Sequence, residues 1–296
     1  MEKAIKPCRP VHASLTLPGS KSYTHRALVA AALASGDSLL NNALKAEDTG
    51  LTAQALTKLG AEISWQGNDI RVRGVGGHWR AVAEPIHLGN SGTSMRFFTA
   101  LTALGQGAYV LTGSDRLCQR PLNDLLHALE QLGVQVASER GDGCPPVTVH
   151  GGLRGGRTRL SGAVSSQYVS ALLFIGPLAP EGVDIEITVE LVSRPYVDLT
   201  LAVLEDFGIS YYREGYRYFR VPGGQIYQPR DYAIEADASS ASYFWAAAAV
   251  TGGRVTITNL SQDSCQGDAA FPGVLARLTC AWVLASAIAG RQFHHG

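Results

Sequence analysis

Short runs in which apolar residues alternate with small or polar ones are followed, several times over, by longer runs with apolar residues three and four positions apart. Val11 to Leu17 is of the first kind and predicts a strand. Ser20 to Leu33 opens on polar residues, becomes nearly all Ala, Leu and Val from Arg26, and predicts a helix. Gly36 breaks it, and Ser38 to Ala43 reads as extended. A second helix is predicted from about Glu47 to Leu59, with Leu51, Ala55, Leu56 and Leu59 on one face and Gly60 at its C′ position. A hairpin follows: Ala61 to Trp65, a Gly67-Asn68 turn, then Ile70 to Arg73.

The same order returns. Pro85 to Leu88 is a short strand, Gly89-Asn90-Ser91-Gly92-Thr93-Ser94 opens a helix reaching Leu104, and Tyr109 to Thr112 is a strand. Pro121 begins a helix ending at Leu132-Gly133, and Val134 to Val149 forms a hairpin. In a third copy Thr158 to Leu160 is extended and Ser165-Ser166-Gln167 opens a helix to Ile175. Val183 to Val189 is then a strand, Ser193 caps a helix ending at Phe207-Gly208, and Ile209 to Val221 is a hairpin. A fourth copy is predicted to start with the strand Tyr232 to Glu235, followed by a helix from Asp237 and a strand from Arg254 to Thr258. The interval is about 70 to 75 residues, longer than solenoid repeats usually are, and each unit reads βαβαββ. The fold class is therefore α/β, without Rossmann phasing. After Asp268 a helix is expected from Phe271 to Leu278, but no Leu-Gly and no hairpin follow. Thr279 to Gly290 is more apolar and less patterned than anything before it.

With 296 residues, 46% of them apolar, the chain can bury the cores of two domains. A formal net charge of zero gives it no global attraction to nucleic acid or anionic membrane, so any anion binding must be local. Five scattered cysteines without a C-x-x-C pair imply reduced thiols and a cytoplasmic protein. Val274 to Ala289, the longest apolar stretch, is short and interrupted by Arg277, and predicts no membrane span. The histidines show no metal-ligand spacing.

Candidate chemistry gathers at the helix starts. Leu17-Pro18-Gly19-Ser20-Lys21-Ser22-Tyr23-Thr24-His25-Arg26 combines a Gly-Ser turn, two cations and two serines around the first of them. Backbone N–H groups and the positive end of the helix dipole face an anion there, Lys21 and Arg26 add formal charge, and Ser22 shares a helix face with Arg26 four residues on. The spacing is not that of a P-loop. Arg120, just before Pro121, stands at a helix start, where a cation opposes the dipole unless an anion intervenes. Ser165, Ser166, Gln167 and Ser193 add neutral hydrogen bonds. Each of them taken alone reads rather as a cap or a helix-face polar residue, and Tyr196 equally as core or ligand-facing. His25 alone reads as a packing or solvated residue rather than a catalytic one. If the repeats aim their helix starts at one another, these groups surround one anion-rich ligand.

The motifs together resemble the enolpyruvyl transferases, on the shikimate-pathway side of that family. They are Leu17-Pro-Gly-Ser-Lys-Ser22 with Arg26, Gly89-Asn-Ser-Gly-Thr93 with Met95-Arg96, Arg120-Pro121, and Val164-Ser-Ser-Gln-Tyr168. Leu191-Val-Ser-Arg-Pro-Tyr196, Asp237-Ala-Ser-Ser-Ala-Ser-Tyr243 and Gln266-Gly-Asp268 complete the set, in family order over residues 11 to about 270. The resemblance implies a two-domain inside-out barrel fold of βαβαββ units, with one domain at 16–236 complete and a second, from 1–15 plus 237–296, partial. It implies transfer of the enolpyruvyl group of phosphoenolpyruvate to the 5-hydroxyl of shikimate 3-phosphate, with loss of phosphate and with no metal or organic cofactor. By motif, Ser165, Ser166 and Ser193 would hold the shikimate phosphate, Ser22 and Arg26 its carboxylate, and Tyr196 would line its site. Lys21, Asn90, Gly92, Arg120 and Gln167 fall on the phosphoenolpyruvate side, with Lys21 and Arg120 as the catalytic cations. Gly92 sits where the family's response to glyphosate is decided. Phe97 and Tyr23-Thr24-His25 depart from the family's usual residues on that side.

Family members run well beyond this length, and their later acid–base and carboxylate-binding residues have no matching position here. The expectation is a chain cut short by a frameshift or early stop. Two other readings stay open. One is a remnant that holds shikimate 3-phosphate without turnover, unless an oligomer formed through the apolar tail completes the cleft. The other is the sister activity on UDP-N-acetylglucosamine, which usually needs a reactive cysteine a few residues before Arg-Pro, where this chain has Cys118.

Overall fold

The computed structural model describes residues 9–278. In chain order a strand β1 (His12–Leu15) is followed by α1 (Lys21–Leu33), β2 (Ser35–Asn41), α2 (Glu47–Leu59), β3 (Glu62–Gln66) and β4 (Asp69–Val75). The second repeat comprises β5 (Ile86–His87), α3 (Gly92–Leu101), β6 (Ala108–Thr112), α4 (Asn123–Gln131), β7 (Val136–Ser138) and β8 (Val147–His150). The third comprises β9 (Gly156–Ser161), α5 (Ser166–Ile175), β10 (Val183–Val189), α6 (Pro195–Asp206), β11 (Tyr212–Glu214) and β12 (Tyr218–Val221). Then come β13 (Asp231–Ala233), α7 (Ala238–Thr251), β14 (Arg254–Ile257) and α8 (Phe271–Leu278).

Residues 21–233 form one compact unit, and residues before 21 and after 233 form another. The first holds three four-stranded sheets, ordered β13-β2-β4-β3, β5-β6-β8-β7 and β11-β12-β10-β9. Each has the same plan: a parallel pair, then an antiparallel hairpin whose last strand lies beside the second strand of the pair. The expected C′ glycines hold. Gly60 and Gly208 have φ of +118° and +80°, which an L side chain adopts only with strain, and the hairpins start just after them.

One expectation is corrected. The strand near Tyr232 does not open a fourth copy: β13 runs parallel to β2, with Tyr232 opposite Leu40, and completes the first sheet. The strand at 11–17 does not open the first copy. As β1 it pairs in parallel with β14, with His12 opposite Arg254 and Leu15 opposite Ile257, in the other unit. The two strands have exchanged places. Both carry the right alternation, and alternation does not specify a partner.

Three helices form the centre of the 21–233 unit. Every residue of α1 from Tyr23 to Leu33 is buried: Ala27 to Leu33 is apolar on all sides and can satisfy no solvent face, while the polar Thr24, His25 and Arg26 find hydrogen-bond partners inside. α3 packs on α5, and α1 on α6 and α2, while the strands show one buried and one exposed face. The unit is thus helices inside and sheets outside. In the other unit Trp245, Leu17, Val255, Ile257 and Leu260 make a small core around α7. Asp237 caps α7 by accepting from the Ser240 N–H at 2.8 Å. No helix among the described residues is long and apolar enough to cross a membrane. The apolar stretch from Thr279, with the oligomer contact expected of it, lies outside the described residues.

Candidate anion-binding site

The starts of α1, α3, α5 and α6 meet at a cavity of about 230 Å³. Seven of the expected residues line it: Ser22, Arg26, Ser165, Ser166, Gln167, Ser193 and Tyr196, together with Thr93, Val164 and Val192. They come from three repeats, so the helix starts do converge.

Arg26 is its foundation. The side chain is 1% exposed, deep for a cation. Its Nε donates to Thr200 Oγ1 at 2.8 Å, Nη1 to the Ser22 carbonyl at 3.0 Å, and Nη2 to the Tyr196 carbonyl at 2.9 Å and Ser170 Oγ at 3.4 Å. The planar group also lies 5.5 Å from the Phe97 ring centroid and 5.9 Å from that of Tyr196. Burial lowers its pKa to about 10, so it stays cationic at neutral pH. All four acceptors are neutral, and a guanidinium has five N–H groups. A buried cation with neutral partners and a donor to spare, on the wall of a serine-lined cavity, has the chemistry to take an anion.

The serines divide. Ser165 is the N-cap of α5 and accepts from the Gln167 N–H at 3.2 Å, so its cap reading holds. Ser193 is not a cap. α6 begins at Pro195 with Arg194 at the N-cap position, and Ser193 sits before it at φ +54°, an uncommon backbone for a residue with a side chain. That turn directs Ser193 into the cavity lining rather than onto the helix end.

A second cluster adjoins the first at the start of α3. Ser91 caps this helix by accepting from the Ser94 N–H at 3.3 Å. A Cβ placed on Gly92 would collide with Arg96 Nη1 and stand 2.9 Å from Arg120 Nη1, so two guanidinium groups crowd this glycine. Burial lowers the pKa of Arg96, and Arg120 beside it acts in the same direction. Arg96 Nε is buried without a partner. Arg120 is corrected in its setting: it ends a 3₁₀ turn, Leu117–Gln119, and α4 starts later, at Asn123. Arg120 therefore opposes no helix dipole; it crowds a second cation, Arg96, beside Gly92. Gln167 Nε2 donates to Thr93 Oγ1 at 3.1 Å and joins the two clusters.

Two expected residues stand in neither the cavity lining nor the second cluster. Lys21 forms an exposed ion pair with Asp48 at 3.3 Å, and Asn90 Oδ1 accepts from Ser114 Oγ at 3.5 Å. Cys118 is buried and donates its thiol to the Gly113 carbonyl at 3.6 Å, a setting unlike that of a reactive thiol. The sequence reading assigned no role to Arg96, Thr93, Ser170 or Thr200. Spacing was the available signal: Arg96 follows Gly92, Ser170 follows Ser166, and Thr200 follows Tyr196, each by four residues and so on one helix face.

Residues 5–290 match the family model described as EPSP synthase (3-phosphoshikimate 1-carboxyvinyltransferase). A 3-phosphoshikimate 1-carboxyvinyltransferase of Methanoculleus marisnigri is 45% identical over 272 residues, covering 92% of this chain and 64% of the relative. One from Trichormus variabilis is 44% identical over 275 residues, covering 92% and 65%. The solved EPSP synthase from Acinetobacter baumannii superposes with a TM-score of 0.78 at 30% identity, over 86% of this chain and 57% of that one. The chain thus spans a little under two thirds of the length of the curated relatives it matches.

Proposed function

The chain belongs to the EPSP synthase family, and from that premise we propose that its 21–233 unit holds shikimate 3-phosphate and phosphoenolpyruvate side by side for enolpyruvyl transfer. The observation that carries this reading is the Gln167–Thr93 hydrogen bond, because it links two separate cation-bearing clusters. A transfer between two anionic substrates needs two such clusters in contact, so that the reacting atoms start near one another.

In this reading Arg26 and Ser22 take the shikimate carboxylate, Ser165, Ser166 and Ser193 its phosphate, and Tyr196 lies against the ring. Gly92, Arg120 and Gln167 take the phosphate of phosphoenolpyruvate, with Arg96 as a further cation. Lys21 joins them by releasing Asp48, an exposed pair that holds it only weakly. The 5-hydroxyl oxygen adds to the enol carbon while a proton goes to the methylene carbon. Elimination then expels phosphate and a proton, which leaves the enolpyruvyl ether. The arginines contribute by stabilising negative charge on the departing phosphate.

A second reading is favoured by the cavity wall itself. Its lining residues include no carboxylate, imidazole or amine to move those protons. On this reading the unit binds shikimate 3-phosphate and turns nothing over.

Calorimetric titration with shikimate 3-phosphate, followed by phosphoenolpyruvate with phosphate release recorded in the same sample, separates the two. Saturable binding with steady release, abolished in Lys21→Ala, is the expected result for transfer. Binding without release selects the holding role, and no binding rejects both.

A further inference from the structure

His25 stands at the centre of an arrangement that the proposed reaction does not use. It is 1% exposed and lies on α1 beside Arg26. Its Nδ1 is 2.8 Å from Thr52 Oγ1 on α2, which is 2.7 Å from Ser94 Oγ on α3, which is 2.6 Å from Oγ of Ser91, the α3 N-cap. Thr52, Ser94 and Ser91 are fully buried. Three helices are thus tied by one unbroken chain of polar atoms that water does not reach.

The other ring nitrogen sets the direction of this chain. His25 Nε2 is buried and has no partner. A proton there would be an unsatisfied buried donor, whereas a bare lone pair costs less, so the proton belongs on Nδ1 and is donated to Thr52. Thr52 Oγ1 then has its proton to share between Ser94 Oγ at 2.7 Å and the Asp48 carbonyl at 3.4 Å, and Ser94 Oγ lies 2.6 Å from Ser91 Oγ, which also accepts the Ser94 N–H. Burial, with Arg26 and Lys21 adding to it, lowers the imidazole pKa to about 3. The ring is therefore neutral at physiological pH and introduces no charge between the two cation clusters.

We infer that His25 is a positioning residue: through Thr52, Ser94 and Ser91 it fixes the first turn of α3, and with it Gly92 and Arg96, relative to Ser22 and Arg26 on α1. The inference rests on the proposed reading of those clusters as two substrate sites. The relay keeps the distance between the two bound anions constant. His25 is not among the residues that line the cavity.

The test uses the full chain with His25→Phe, His25→Asn and Thr52→Val. Phenylalanine removes the donor. Asparagine places an amide near the Nδ1 position, and valine deletes the next hydroxyl without changing side-chain size. Affinity for phosphoenolpyruvate, measured with shikimate 3-phosphate saturating, should fall about tenfold or more in His25→Phe and Thr52→Val. Affinity for shikimate 3-phosphate alone should stay within about twofold, and asparagine should recover most of the loss. Equal losses for both ligands, no loss, or no rescue by asparagine would overturn the inference. Nitrogen NMR of the wild-type imidazole adds a readout that needs no ligand: the expected species is neutral and protonated at Nδ1, and protonation at Nε2 refutes the relay. A wild-type chain that binds neither ligand would reject the proposed function, while the NMR result would still decide the relay.

Discussion

Arg26 Nε donates to Thr200 Oγ1 across 2.8 Å, between the first and third repeats. The same hydroxyl donates to Ser170 Oγ at 2.7 Å, which accepts from Arg26 as well. The guanidinium is thereby clamped edge-on before any ligand arrives. Replacing Thr200 with Val keeps the shape and strands a buried, charged N–H. The expected cost is about 1 to 3 kcal/mol of folding stability, together with weaker binding of shikimate 3-phosphate. Urea unfolding and calorimetry check the two effects. A variant as stable as the wild type would mean that Arg26 finds another acceptor.

Gly92 lies in the first turn of α3 without unusual backbone angles, so Gly92→Ala should fold normally. The added methyl displaces Arg96 and Arg120 from the position they share. Phosphoenolpyruvate binding is expected to weaken about tenfold, the loss of roughly one charge-assisted hydrogen bond. Shikimate 3-phosphate binding should be unaffected. Competition titrations with the two ligands separate these outcomes.

Acid stability offers a check on His25. The folded chain keeps this imidazole neutral down to about pH 3, while the unfolded chain takes up its proton near the ordinary value of 6.5. Between those values the unfolded state binds more protons. The contribution of His25 to stability is thus complete above pH 6.5 and is lost as the pH falls, by up to about 1.4 kcal/mol per pH unit. Between pH 7 and pH 4.5 the wild type should lose more stability than His25→Asn by about 2 kcal/mol in denaturant unfolding. Parallel losses would place the folded pKa close to the unfolded one.

Tyr232 tests the exchanged strand. It is 6% exposed, its ring centroid is 5.5 Å from that of Phe207, and its backbone pairs opposite Leu40 of the first sheet. Tyr232→Ala is expected to destabilise the 21–233 unit by about 3 kcal/mol. Hydrogen exchange should show the loss along β2. Loosening confined to α7 and β14 would contradict the pairing described above.

The sequence by itself determined most of the elements and which polar groups stand at the helix starts. The alternation of strand and helix periods, the Ser/Gly helix starts and the closing glycines at Gly60, Gly133 and Gly208 are local signals, and each is enforced by backbone sterics or by a cap. Ser22 with Arg26 and the Ser165-Ser166-Gln167 run were legible for the same reason. The repeat pattern left open which strand completes which sheet, because β1 and β13 carry interchangeable alternation and every strand edge presents the same N–H and C=O groups, and the tertiary structure decided it. It also decided that Arg96 meets Arg120, that Gln167 reaches Thr93, and that His25 joins Thr52, Ser94 and Ser91. Those contacts join residues far apart in the chain, and they exist only because three buried helices are packed with their starts together.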